Sequence, residues 1–150
     1  MKTVLVDSNI FIDLFGGIRD AAPKLAEADR IFISPLVLGE VRAGFGESRK
    51  DLARKAILDD FLSLPYVEIV PVSDTTAEYY AGLFRYLKRI GRKIPDNDLW
   101  IASQALEHGT VLLTRDAHFS GIPNLRVWGP DMAEETGDAG EQPEKRRTGP

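Results

Sequence analysis

Two segments of this chain share a layout, a run of branched apolar residues that ends in an acid. VLVDSN places Asp7 directly after its run, and VLLTRD places Thr114 and then Asp116 after another. Two more acids stand in helical patterns. In PLVLGEVRAG, Val37, Glu40, Val41 and Gly44 fall at i, i+3, i+4 and i+7, so Glu40 is expected within a buried stripe. In NDLWIASQA, Asp98, Ile101, Ala102 and Ala105 repeat that spacing, so Asp98 should top the face that packs on the core. Carboxylates on apolar faces are costly to desolvate unless they are paired or hold a cation. Gathered together they repel one another until a cation neutralises them. The chain has no cysteine and no paired-histidine motif, and oxygen donors favour Mg²⁺ or Mn²⁺ over zinc. The chemistry implied is hydrolysis of a phosphodiester by activated water.

Each acid also has a plainer role on its own. Asp7 or Ser8 could cap a helix, Asp116 could form an Asx turn, and Glu40 could be a solvated helix residue. Asp96 reads as a helix N-cap, with an extra-ligand role as the alternative. The joint arrangement is harder to explain in those terms, and it depends on the elements that carry the acids. Apolar runs at 3–6, 30–33, 67–70, 110–113 and 125–127 predict strands covered on both faces. Helical patterns at 9–15, 21–28, 35–45, 50–62, 75–90 and 97–108 lie between them, and Thr75-x-x-Glu78 has the form of a capping box. Strands separated by helices predict an α/β fold with a parallel sheet. Ligands of such sheets bind beyond the carboxyl ends of the strands. That edge is where Asp7 and Asp116 must emerge.

The net charge is −4, from 19 basic and 23 acidic residues. The last stretch, DMAEETGDAGEQPEKRRTGP, holds six acids against three bases, so the rest of the chain is close to neutral. That stretch lacks aromatic and branched aliphatic residues. Residues 131–150 are therefore expected to be an acidic, disordered tail behind a single domain over 1–130. No apolar run is long enough to span a membrane, and the start is not a secretory signal. The absence of cysteine is compatible with a cytoplasmic location. RYLKRIGRK supplies Arg85, Lys88, Arg89, Arg92 and Lys93 just before the Asp96–Asp98 loop. It reads either as a solvated basic face or as a grip on RNA phosphates. His108, beside Gly109 at a helix end, and His118, near Asp116, read as structural. Ser8 has no histidine partner in its motif, which argues against a covalent nucleophile. Tyr79 and Trp100 read as core or interface aromatics rather than base-stacking groups.

Four blocks, VLVDSNIFIDL, SPLVLGEVRAG, IPDNDLWIASQALEHG and TVLLTRDAHFSGIPNLRV, resemble the successive signature blocks of PIN-domain nucleases, in family order over about residues 3–128. The resemblance is closest to the VapC-type toxins of toxin–antitoxin pairs. It implies an acidic quartet of Asp7, Glu40, Asp98 and Asp116 holding Mg²⁺ or Mn²⁺, with Asn9 and Thr114 in support. It also implies a five-stranded parallel sheet of order 3-2-1-4-5 with helices on both faces. The activity implied is endoribonuclease cleavage of RNA that leaves 5′-phosphate and 3′-hydroxyl ends. A VapB-type antitoxin partner and a homodimer are expected with it. A haloacid-dehalogenase-type phosphatase would place a second Asp where Asn9 stands, and a receiver domain would need a paired acid and a late lysine. A catalytically silent PIN-like scaffold that binds RNA or protein is the non-enzymatic alternative, although such scaffolds lose acids that this chain keeps.

Overall fold

β1 (Thr3–Val6) is the centre of the sheet, and its residues Val4, Leu5 and Val6 are all fully buried. Successive strand residues face opposite sides, so burial of all three means that both faces of the sheet are covered. The computed structural model describes residues 1–17 and 21–129, together with the backbone of Glu135–Thr136. Its elements follow in the order β1, α1 (Ser8–Phe15), α2 (Ala22–Glu27), β2 (Arg30–Ile33), α3 (Pro35–Ala43), α4 (Arg49–Leu62), β3 (Val67–Ile69), α5 (Asp74–Arg89), α6 (Asp96–His108), β4 (Val111–Leu113), β5 (Arg126–Trp128) and β6 (Glu135–Thr136). A short 3₁₀ turn (Ala117–Phe119) stands between β4 and β5.

The first five strands are parallel and lie in the order β3-β2-β1-β4-β5, as expected. One difference is β6, two residues long, which pairs antiparallel with β5. Its residues fall in the stretch expected to be a disordered tail; the rest of 131–150 lies outside the described residues. β3 is the other edge, and its Glu68 and Ile69 are exposed, unlike the doubly covered inner strands.

Helix starts follow local chemistry. Ser34 caps α3 through Leu36 N–H at 3.2 Å, with Pro35 at the first helical position. The capping box of α5 is built by Ser73 and Thr76, not by Thr75 and Glu78. This shift by two residues gives the buried Thr76 a second use, because its hydroxyl donates to Glu107 Oε2 at 2.6 Å. Ser73 Oγ donates to the other Glu107 oxygen at 3.2 Å. One carboxylate near the end of α6 thus ties down the start of α5. α6 itself begins with Pro95 as N-cap, which leaves Asp96 as its first helical residue rather than its cap. It ends on Gly109 at φ 62°, a left-handed position suited to glycine.

Glu107→Ala should remove the charged acceptor of two hydroxyls and destabilise the fold by about 1.5–3 kcal/mol, read as a fall in the urea midpoint. An unchanged midpoint would mean that the α5–α6 tie carries no stability.

Candidate metal centre

The site is built on the carboxyl edge where β1 and β4 run side by side. Val6 is in register with Leu113, and Asp7 N–H continues the ladder onto Leu113 O at 3.0 Å. Asp7 and Thr114 therefore leave adjacent strands together. Asp7 is only 3% exposed and is the N-cap of α1, with Oδ1 accepting from Ser8 N–H at 2.8 Å. Its Oδ2 accepts from the Thr114 hydroxyl at 2.7 Å and from Asn9 Nδ2 at 3.3 Å. The same hydroxyl accepts Asp116 N–H at 3.0 Å and Asn9 Nδ2 at 3.2 Å. Thr114 is thus the junction that sets Asp7 and the backbone of Asp116 against each other. Asn9 and Thr114, the two residues expected in support, both hydrogen-bond to Asp7 Oδ2 and to each other.

Asp98 arrives from the first turn of α6, where free helix N–H groups favour an anion. Glu40 arrives from α3 but is exposed rather than buried in its stripe. At this edge the helix face opens onto the crevice, and Glu40 accepts there from Ser8 Oγ at 2.7 Å and from Asn97 Nδ2 at 3.0 Å. Ser8 is therefore a partner of Glu40. Burial lifts the Asp7 carboxyl above its ordinary value, and the charges of Asp98 and Glu40 add to this against the opposing bonds from Thr114 and Ser8. Burial also lifts Asp98, with Asp116 and Glu40 adding to the shift and His118 opposing it. All four expected acids therefore belong to one electrostatic neighbourhood.

The tightest set of possible ligands has a different membership. One donor atom each from Asp98, Asp116 and His118 lie within 4.8 Å of one another. His118 Nδ1 is 2.9 Å from Asp98 Oδ2 and 3.0 Å from Asp116 Oδ1. Hydrogen bonding to Asp98, helped by the charge of Asp116, raises the His118 pKa. Only one of the two histidines expected to be structural stays outside the site: His108 sits edge-on to the Phe32 ring, with centroids 5.5 Å apart. This spacing of carboxylate and imidazole donors fits a divalent cation.

Other residues were invisible to sequence periodicity. Asn97 orients Glu40. Buried Asp13 pairs with the Arg115 guanidinium, and Asn9 Oδ1 accepts Arg115 N–H at 3.2 Å, so one face of α1 holds the loop after β4. The i, i+4 spacing of Asn9 and Asp13 was the available signal. Asp96, the candidate extra ligand, is instead hydrogen-bonded by the Tyr80 hydroxyl. Tyr80 stacks on half-buried Trp100 at 4.1 Å between centroids, while Tyr79 is exposed. Of the basic residues, Arg85, Lys88, Arg89 and Lys93 are exposed. Arg92 is turned inward, and its guanidinium donates to the carbonyls of His118 and Ser120.

Residues 4–125 match the PIN domain, and the chain belongs to that family. Within it, the chain is similar to proteins named as VapC ribonucleases. One from Rickettsia felis, Ribonuclease VapC2, is 38% identical over 67% of this chain and 75% of its own. Ribonuclease VapC4 of Mycobacterium tuberculosis is 26% identical over 85% of this chain and 96% of its own. Among solved structures, VapBC2 from Rickettsia felis bound to a promoter DNA fragment superposes with a TM-score of 0.72 at 31% identity, covering 85% of this chain and 98% of that one. VapBC-1 from nontypeable Haemophilus influenzae gives a TM-score of 0.73 at 25% identity, covering 85% of this chain and 98% of that one.

Two measurements probe the site itself. Thr114→Val keeps the shape but removes a hydroxyl shared by three polar neighbours, and should cost about 1–3 kcal/mol in urea unfolding. A variant as stable as wild type would show that water replaces the hydroxyl at no cost. The second concerns pH. Asp7, Asp98 and His118 all bind a proton more readily folded than unfolded, so the stability linked to each is lost as pH rises through its folded value. With chelator present, stability should fall from about pH 6 to about pH 8, across the histidine range, and less steeply in Asp98→Asn. A slope equally steep in the variant would sink this account.

Proposed function

We propose that this protein is a metal-dependent endoribonuclease, the toxin of a VapBC-type toxin–antitoxin pair. The observation that carries the reading is the convergence of Asp98, Asp116 and His118 donor atoms beside buried Asp7, at the carboxyl edge of a PIN-family sheet. The ion is Mg²⁺ or Mn²⁺. When bound, it supplies Lewis acidity toward a phosphodiester and the attacking water.

Everything else is supplied by side chains. Asp98 and Asp116 offer the charge that holds the cation, and Asp7 adds a third carboxylate whose orientation is fixed by Ser8, Asn9 and Thr114. Glu40, steadied by Ser8 and Asn97, lies at the exposed side of the group, where an incoming water or phosphate is met. Exposed Arg85, Lys88, Arg89 and Lys93, at the end of α5 and just beyond it, are candidates for contacts to the RNA backbone. Such contacts add salt-dependent affinity without sequence preference. No helix among the described residues is long and apolar enough to cross a membrane. The partner is a VapB-type antitoxin, a reading supported by solved relatives that are VapBC assemblies. Tyr79, 42% exposed on α5, is apolar surface that a second copy would cover in a homodimer.

The test is a cleavage gel on total RNA with Mg²⁺ or Mn²⁺, run with wild type and Asp98→Asn. Wild type should cut and the variant should lose at least about a hundredfold in rate, as expected when an electrostatic group at the reacting centre is removed. Equal cutting by both would assign the activity to a contaminant. RNA binding with no cutting under either ion would support the scaffold alternative.

A further inference from the structure

We infer that His118 is a nitrogen ligand of the cation held by Asp98 and Asp116, so that this site prefers a manganese-type ion to magnesium. The inference rests on the reading of the acidic cluster as a cation site and concerns what selects the ion there.

The geometry carries the argument. Cis donors at about 2.1 Å from one ion lie about 3 Å apart. His118 Nδ1 stands at 2.9 Å from Asp98 Oδ2 and 3.0 Å from Asp116 Oδ1, which is that spacing twice over. The ring is also held there from its backbone. His118 N–H donates to Asp116 Oδ1 at 2.9 Å, and its carbonyl accepts from the Arg92 guanidinium. The other arm of Arg92 holds Ser120 O at 2.6 Å, and Arg92 N–H is itself fixed to Leu87 O at 2.9 Å. The 3₁₀ turn is thus clamped to the end of α5, so only side-chain rotation could carry Nδ1 away from the two carboxylates it meets. The side chain is 50% exposed, so water can serve the far ring nitrogen, as the outer partner of a ligating histidine often does.

The bland alternative is that His118 is a counter-ion to the acids and leaves when a cation arrives. The two readings differ in a measurable way. An imidazole donor strengthens binding of Mn²⁺, whereas Mg²⁺ gains little from nitrogen. A displaced counter-ion would compete with both ions alike, so its removal would tighten both.

The experiment uses the full chain freed of metal. Mn²⁺-loaded protein is examined by pulsed electron paramagnetic resonance for nitrogen coupling of the kind imidazole gives, and Mn²⁺ and Mg²⁺ affinities are measured by calorimetry. Wild type should show the coupling. The chain has only two histidines, and His108 ends α6 at the far end from Asp98, so the signal reports His118. His118→Gln should lose the coupling and bind Mn²⁺ about tenfold or more weakly, a loss of the size seen when groups around bound metals are removed, with Mg²⁺ little affected. Wild-type spectra without nitrogen coupling would overturn the inference, and so would a variant that binds both ions as well as wild type or better. Asp98→Asn separates the two levels of the argument. If it too binds Mn²⁺ like wild type, the cation site fails. If it loses Mn²⁺ while His118→Gln does not, the cation site stands and only the nitrogen ligand fails.

Discussion

The structure is organised around the cost of holding carboxylates close together out of water. Asp7 is almost wholly buried, and it feels the charges of Asp98 and Glu40. An uncompensated ion in such a place is expensive, and hydrogen bonds offset only part of that cost. Three donors address this problem on Asp7: Ser8 N–H, the Thr114 hydroxyl and Asn9 Nδ2. The Thr114 hydroxyl in turn accepts from Asn9 Nδ2 and from Asp116 N–H, which is why a single hydroxyl between two strands matters to the site. The remaining repulsion is what a divalent cation would relieve.

The register of the sheet is what makes this junction possible. β1 and β4 pair so that Val6 faces Leu113, and both chains turn away from the sheet at the same height. A slip by one residue would send Asp7 or Thr114 to the opposite face. This part of the site was legible in the sequence, because a parallel sheet has only one edge at which VLVD and VLLTRD can deliver polar groups. The strand order agreed as well. Helix boundaries fell within two residues, and the α5 cap was misplaced because Ser73 and Thr76 compete with Thr75 and Glu78 for the same role. In the fold Glu107, from another helix, accepts from both Ser73 and Thr76 and so reinforces their box.

What the sequence did not reveal shares a cause. Glu40 has the spacing of a buried stripe, yet its side chain is exposed, because periodicity describes a helix face and says nothing of where that face runs past the core. Asn97, Asp13 and Arg92 act through partners 26 to 102 residues away. No local pattern encodes those partners; the i, i+4 spacing of Asn9 and Asp13 marks only the helix face that carries two polar groups. Arg92 is the sharpest case: in sequence it belongs to a basic run, and in space it is the one member of that run whose guanidinium holds the His118 loop. Asp96 shows the reverse, an acid beside the quartet whose carboxylate is occupied by Tyr80.

The division of labour within the site follows from these supports. Asp7 sits on the central strand edge and is rigid by virtue of the sheet. Asp116 and His118 sit on a short turn whose geometry depends on the Thr114 hydroxyl at one end and Arg92 at the other. Because Arg92 follows α5 directly, the basic segment and the acidic site are mechanically joined as well as adjacent. This matters for a chain of net charge −4 that is read as cutting a polyanion. Bare carboxylates would repel a phosphate, so productive approach requires the cation to be in place first or to arrive with the substrate. On the proposed reading the exposed cations near the end of α5 would draw the backbone in, and Arg92 from the same stretch holds the turn that carries two of the proposed donors. Charge reversal at the site and attraction beside it would thus be set by two segments that Arg92 joins.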